Sequence, residues 1–503
     1  MRDRLQGTGW LWWPAWAIAA LCTSLYLTLS LARWHRMSTP SWDNAIFEEA
    51  IKGYAHLSLP VVDIKGEGFV QLGDHFSPLL AVIAPFYAIW PSGVTLLVAQ
   101  CVALGLSILP LTLAARRHLG PVPGAAIGLA YGLSWGLQSG VDVQFHEYCL
   151  AVPLLAFALA ALLDARWRAA AVWSALLLGV KEDLGLTVAV IGLVMWVEGW
   201  RRERRRLGAP GRVGDYSGAD ARRELRTGRN LVIAGSVTLV VVLLIIIPAF
   251  NPGHHWDYWG RLEGDGGSMT GEGGIAAALG NLPELALNFF QPYQKVNTLV
   301  LVVALTVGAA CVSPYGLIAV PTLVWRFISP NYGFWGSGWH YSLVLMPIVF
   351  GAGIDALRRL KTSESRAVRR YAAAVPSLAL AFALVAASQF PFRDLVKPET
   401  YDPPGRADQV AAVMDLIDDD CTIGTDVGLI VYLPSRCRVF WVADLPAEPL
   451  DYLVFDPTSG WSGDPGNPVD WAQSTYPDAT YELVYGEAQS GDPEGLRLAK
   501  RVG

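Results

Sequence analysis

The chain has 503 residues, of which 53% are hydrophobic and only 16% charged, with 20 tryptophans and a formal net charge of −6. That balance, with a mean hydropathy of +0.35, excludes an ordinary soluble globular protein and points to a polytopic membrane protein. The apolar residues come in runs of about 17 to 25, the length that crosses a hydrocarbon core as a helix.

The first run, residues 11–32, is too long for a signal peptide and lacks a clear small-residue cleavage pattern, so it is expected to remain as a first span. Basic clusters follow at Arg2/Arg4, Arg116/Arg117, Arg166/Arg168, 201–229 and 358–370. Placing all of them on the cytoplasmic face threads the chain in alternating directions. The spans are then 11–32, 93–115, 122–138, 148–164, 169–180, 184–200, 230–250, 298–312, 317–329, 341–357 and 371–390. These are eleven crossings, with a cytoplasmic N-terminus and an extracytoplasmic C-terminus. Residues 76–90, "FSPLLAVIAPFYAIW", are short and carry two prolines, so they are expected to lie at the interface.

The predicted organisation is therefore an all-α membrane domain over 1–390, with external loops 33–92 and 251–297. A soluble extracytoplasmic α/β domain follows over 391–503. In the latter, "ADQVAAVMDLI" reads as an amphipathic helix, and "CTIGTDVGLIVYL", "RVFWV" and "DYLVFD" as strands. The segment after about Gly460 carries too many turn residues for an assignment. Cys421 and Cys437 both fall in this domain, where an oxidising compartment permits a disulfide between them.

No Gly-rich Lys-Ser/Thr phosphate loop, CxxC pair or HExxH motif occurs in the chain. The cytoplasmic arginines fit topology and anionic lipid rather than nucleic acid. Of the eight histidines, only His118 is predicted to be cytoplasmic. The others gather with acids in distant external segments: Asp43, Asp74 and His75 in the first loop, His146 and Glu147 in "VDVQFHEY", Lys181, Glu182 and Asp183 in "VKEDLG", and His254 and His255 in "GHHWDYWGRLEGD". Ionisable groups at membrane depth are costly and tend to be functional, so these segments are candidates for one shared cavity.

The stretch "SWDNAIFEEAIKGYAHL" has Ser41 at an N-cap position and apolar residues at helical spacing, which predicts a helix lying on the membrane surface. Glu48 and Glu49 then read as its solvated face. Asp43, at its start, can cap the helix or act as a base or ligand, and Asp74 can likewise cap the segment after it. Lys181 is the sole cation of its segment and suits an anionic phosphate.

Taken together, these motifs resemble the GT-C superfamily of polytopic glycosyltransferases, which use polyprenyl-phosphate-linked sugars. The similarity is carried by "WDNAIF", by "DHFSPLLAVIAPFYAIW" with its following span, by "LLGVKEDLG", and by "WHYSLVLMPIVF". Residues from about 42 to 440 are more closely similar to an uncharacterised family of bacterial membrane proteins. The resemblance implies a bacterial inner-membrane enzyme that transfers a sugar from a polyprenyl-phosphate donor to a cell-envelope glycan, lipid or protein. Asp43 matches the acid that acts on the acceptor, Lys181 the lysine beside the donor phosphate, and His75 the histidine of the His-Pro-Pro-Leu stretch. His340 stands where the superfamily carries an arginine, and it is grouped with Lys181 and His75 as a phosphate ligand. Asn44 replaces the second acid found after the first in many members, so paired acids do not define a metal site, and a divalent metal is left open. A lipid or sugar transporter, or a non-catalytic envelope-assembly protein of the same fold, is the alternative.

Overall fold

The structure is a computed structural model that describes residues 9–37, 42–208, 218–257, 289–329, 331–402, 406–459 and 466–503. Five described helical segments are long and apolar enough to cross a membrane: Trp12–His35, Gly93–Leu119, Leu184–Arg204, Arg222–Phe250 and Arg366–Ala387. Two shorter apolar stretches, Tyr148–Leu163 and Pro314–Ile328, accompany them. Several expected spans are broken rather than continuous. Residues 122–138 form α5 (Pro121–Gly132) and α6 (Trp135–Asp142), and residues 169–180 form α8 (Trp167–Leu176) and a 3-10 turn, Leu177–Gly179.

In chain order, α1 (Gly9–His35) packs against α4 (Gly93–Leu119) and α5, and α4 against α7 (Tyr148–Leu163). Ser92 caps α4 by accepting a hydrogen bond from the Val94 N–H at 3.2 Å. The other end of α4 carries Arg116, Arg117 and His118 in its last turn and stops at Gly120, whose φ of 106° precedes Pro121. Cations there complement the negative end of the helix dipole, and proline at the first position of α5 cannot extend α4. The expected interfacial segment contains only the 3-10 turn Pro78–Val82 and the short helix α3 (Ala84–Ile89), with Phe86, Ile89 and Trp90 exposed. The helices α9 (Leu184–Gly208) and α10 (Gly218–Val241) run side by side through glycine contacts. A Cβ at Gly192 would lie 2.6 Å from the Gly228 carbonyl oxygen, so only glycine lets these backbones approach so closely.

After the bundle, a five-stranded sheet has the order β2-β1-β3-β5-β4. β1 (Thr422–Thr425) is parallel to β2 (Arg438–Trp441) and to β3 (Tyr452–Phe455); β5 (Arg497–Arg501) is antiparallel to β3 and to β4 (Tyr481–Tyr485). Helix Ala407–Leu416 forms where the amphipathic pattern places it, whereas "CTIGTDVGLIVYL" supplies only a four-residue strand before a turn. The last two strands lie in the segment left unassigned from sequence. Cys421 and Cys437 are joined by a disulfide that ties β1 to β2 at their starts.

Helix α2 (Asp43–Ala55) links the two parts of the molecule. Phe47 and Ile51 enter the core of the helical bundle, while Ala45, Ile46 and Ala50 enter a second core with Val410, Ile423, Val431 and Val439. The face expected to be wet is covered from two sides, Glu49 by Ile64 and by Val439 of the sheet-bearing region, and Glu48 by Tyr87 and the start of α4. Glu48 and Glu49 are only 1% and 7% exposed, which corrects the solvated-face reading of these two acids. Around α2 the contact is polar and aromatic. The Lys52 ammonium donates to the Pro434 carbonyl at 2.8 Å, Arg438 pairs with Asp63 through bonds of 2.9 and 3.0 Å, and Trp42 meets Trp441 edge-on at 4.9 Å. Ser41, the expected cap, lies outside the described residues.

Candidate functional site

Beside α2, segments far apart in sequence bring nine of the eleven predicted polar candidates into one network. His146 arrives on the turn between α6 and α7, where Gln144 takes a φ of 71°. A non-glycine residue in that conformation needs support, and Gln100 of α4 provides it. Its amide donates to the Gly140 and Gln144 carbonyls at 3.1 and 2.8 Å, and its Oε1 accepts the His146 N–H at 3.1 Å. His340 sits in a second clamped turn. The buried Arg326 guanidinium donates to the carbonyls of Phe334 at 2.7 Å and Gly336 at 2.9 Å and to the Ser342 hydroxyl at 3.2 Å. Both turns place their imidazoles face to face, with ring centroids 3.4 Å apart and planes 22° apart.

From His146 the network runs outward through charge. Its Nδ1 lies 2.7 Å from Glu147 Oε2, and the other Glu147 oxygen pairs with Lys181. Lys181 also stands 5.1 Å over the Tyr148 ring, and the Tyr148 hydroxyl donates to Asp183 at 2.8 Å. Glu182 holds the first loop: its Oε1 is 2.8 Å from His75 Nδ1, and its Oε2 accepts the Phe76 N–H at 3.1 Å. His75 Nε2 is 3.5 Å from Asp74, which pairs in turn with Lys65. Asp43 closes the other side. One ligand atom each from Asp43, His146 and His340 falls within a span of 4.8 Å.

Neighbouring charge rather than burial alone decides how these groups ionise. Burial would raise the Asp74 carboxyl, but His75 and Lys65 hold it at about 2. Burial and the adjacent Glu182 push Asp183 up to about 6. Burial, reinforced by His146, drives His340 well below the usual histidine value, so its imidazole is neutral at pH 7. Outside the network, burial raises Glu48 and Glu49 to about 8, although Glu48 accepts from the Tyr87 hydroxyl at 3.0 Å and Glu49 from the Ile64 N–H at 3.2 Å.

His254 and His255 do not join. They lie on a surface turn after α11 (Ile247–Phe250), with His254 Nδ1 3.2 Å from the Pro248 carbonyl and His255 Nδ1 2.7 Å from that of Gly253. Residues 258–288 of the predicted external loop, including Tyr258 and Trp259, lie outside the described residues. Three members of the site were not read from the sequence. Gln100 and Arg326 each interrupt an apolar run, a signal that marks polar groups with a task inside a membrane protein. Lys65 sits in an ordinary polar loop and carried no such mark.

The fold and this network define a polytopic helical membrane protein with a buried polar centre where the bundle meets a small sheet. The chain belongs to the DUF2079 family of predicted membrane proteins, whose family model matches residues 33–488. No curated protein matches it in sequence. In structure it is similar to ArnT, a GT-C glycosyltransferase, from Cupriavidus metallidurans bound to undecaprenyl phosphate. That likeness has a TM-score of 0.52 at 14% identity and covers 99% of each chain. The apo form of the same transferase superposes with a TM-score of 0.43 at 15% identity, over 94% of this chain and 97% of the other.

Proposed function

We propose that this protein is a membrane-embedded glycosyltransferase that moves a sugar from a polyprenyl-phosphate donor to an acceptor of the cell envelope. The observation that carries the reading is a polar network, assembled from distant segments, within a fold alike over its full length to a transferase that holds undecaprenyl phosphate. In this reading the network faces outward from the bacterial inner membrane, with 391–503 as an extracytoplasmic domain beside it. Asp43 is only partly buried and takes the proton of the attacking acceptor hydroxyl. Lys181 and the His75 side supply positive charge to the departing lipid phosphate. A single displacement inverts the anomeric centre.

Purified protein incubated with a panel of polyprenyl-phosphate sugars should release polyprenyl phosphate. Asp43→Asn should reduce turnover by at least about 100-fold. Movement of sugar or lipid across sealed vesicles without donor turnover would instead identify a transporter.

A further inference from the structure

The geometry points to a divalent transition-metal site of the zinc class, formed by Asp43, His146 and His340. Three features of the site lead to it. The first is donor chemistry: two imidazoles and one carboxylate, each with one donor atom inside the 4.8 Å span. That is a first-row transition-metal set rather than an all-oxygen magnesium or calcium set. Three protein ligands leave a further coordination position, and the partial exposure of Asp43 gives it access to solvent or substrate.

The second feature is His340 itself. It is 2% exposed, and neither of its ring nitrogens has a hydrogen-bond partner among the described residues. A buried imidazole without a partner forfeits the solvation of two polar atoms, and an ion would satisfy one of them. The third is organisation and charge. Gln100 clamps the His146 turn and Arg326 the His340 turn, so both backbones are held, and the stacked rings reach a shared ion by turning about their side-chain bonds. The Glu147 carboxylate lies against His146 Nδ1, the outer-shell contact that metal-bound histidines commonly have. The network also holds five carboxyl groups, on Asp43, Asp74, Glu147, Glu182 and Asp183, against two lysines, Lys65 and Lys181. A divalent cation redresses that balance and makes the centre receptive to an anion.

Ion binding can be read without any sugar donor. Tag-free, full-length protein is stripped with chelator, equilibrated with Zn²⁺, freed of unbound ion and assayed by elemental mass spectrometry. Cobalt substitution then reports the ligand field by visible absorption. The expected result is about one retained ion per chain, with a tetrahedral-type cobalt spectrum. His340→Gln and His146→Gln should weaken retention at least about tenfold, whereas the double variant His254→Ala/His255→Ala should retain the ion. Unfolding midpoints in chelator should coincide for wild type and His340→Gln, with added Zn²⁺ raising only that of the wild type. Absence of a retained ion in the wild type, or equal retention by a folded His340→Gln, would overturn the assignment. Because no donor is present, either result stands apart from the transferase reading, and absent sugar transfer would not count against the ion site.

Discussion

Two groups of buried acids lie within a few residues of one another in the fold and are treated in opposite ways. In the network around Lys181, carboxylates are matched with cations: Glu147 with Lys181, Asp74 with Lys65, and Glu182 with His75. One helix away, Glu48 and Glu49 on α2 are equally buried, but their hydrogen bonds come from neutral donors, the Tyr87 hydroxyl and the Ile64 N–H. Asp74 is accordingly held at about 2, whereas Glu48 and Glu49 rise to about 8. Burial is common to both groups; a close ion pair keeps Asp74 ionised, whereas Glu48 and Glu49, with neutral donors and only the weaker pull of Lys52, are driven up by burial.

The largest test of this contrast is Lys181→Ala. It leaves Glu147 and Glu182 in a buried site without their shared cation, and breaking a buried pair from one side costs about 3–5 kcal/mol. The expected outcome is a marked fall in the unfolding midpoint, followed by tryptophan fluorescence, with Lys181→Arg recovering much of the loss. A midpoint unchanged in Lys181→Ala would mean that the network is solvated and the contrast false.

A smaller effect concerns Glu48 and Glu49. Their carboxyls go from an ordinary value of 4.5 to about 8 on folding, so the folded state keeps protons that the unfolded chain releases. The stability they contribute is full below about 4.5 and falls as pH rises through about 8. The double variant Glu48→Gln/Glu49→Gln should therefore lose less stability than wild type between pH 6 and pH 9, on the order of a few kcal/mol. Midpoints measured across that range check it, and parallel curves would refute the protonated assignment. Asp74 has the opposite sign. Its contribution is present above 3.8 and is lost as pH falls through about 2.

The smallest expected change is at the edge of the contact between sheet and bundle. Arg438 forks onto Asp63, but its side chain is 52% exposed, and exposed pairs contribute at most about 1 kcal/mol. Arg438→Ala should shift the midpoint only slightly. A large shift would show that this pair, rather than the apolar contacts of Ala45, Ile46 and Ala50, fastens the sheet to α2.

Much of the helical architecture was legible in the chain because hydrocarbon imposes a local rule: a long apolar run with few charges must satisfy its backbone as a helix. The candidates at Asp43, Asp74, His75, His146, Lys181 and His340 were visible for the same reason, as polar groups set against apolar surroundings. Where the helices break was less visible. α5 and α6 divide at Leu133–Ser134 inside a run that reads as one span, because short-range hydropathy does not register the turn. The last two strands were hidden in turn-rich sequence, since β5 joins the sheet through β3, which is remote in the chain, and β4 joins it only through β5.

Other features were decided only by tertiary structure. An amphipathic period on α2 establishes that one face is apolar; it cannot say that a sheet formed far later in the chain will cover Glu49 while Tyr87 and the start of α4 cover Glu48. Nor does sequence spacing bring His146 against His340 or exclude His254 and His255, because those choices depend on how Gln100 and Arg326 hold two distant turns. The sequence by itself determined which segments can enter a membrane and which residues can carry chemistry, since both follow from local side-chain solvation. Only the fold decided which of those residues meet and in what charge state, since contact and electrostatic environment arise between segments that the chain keeps far apart.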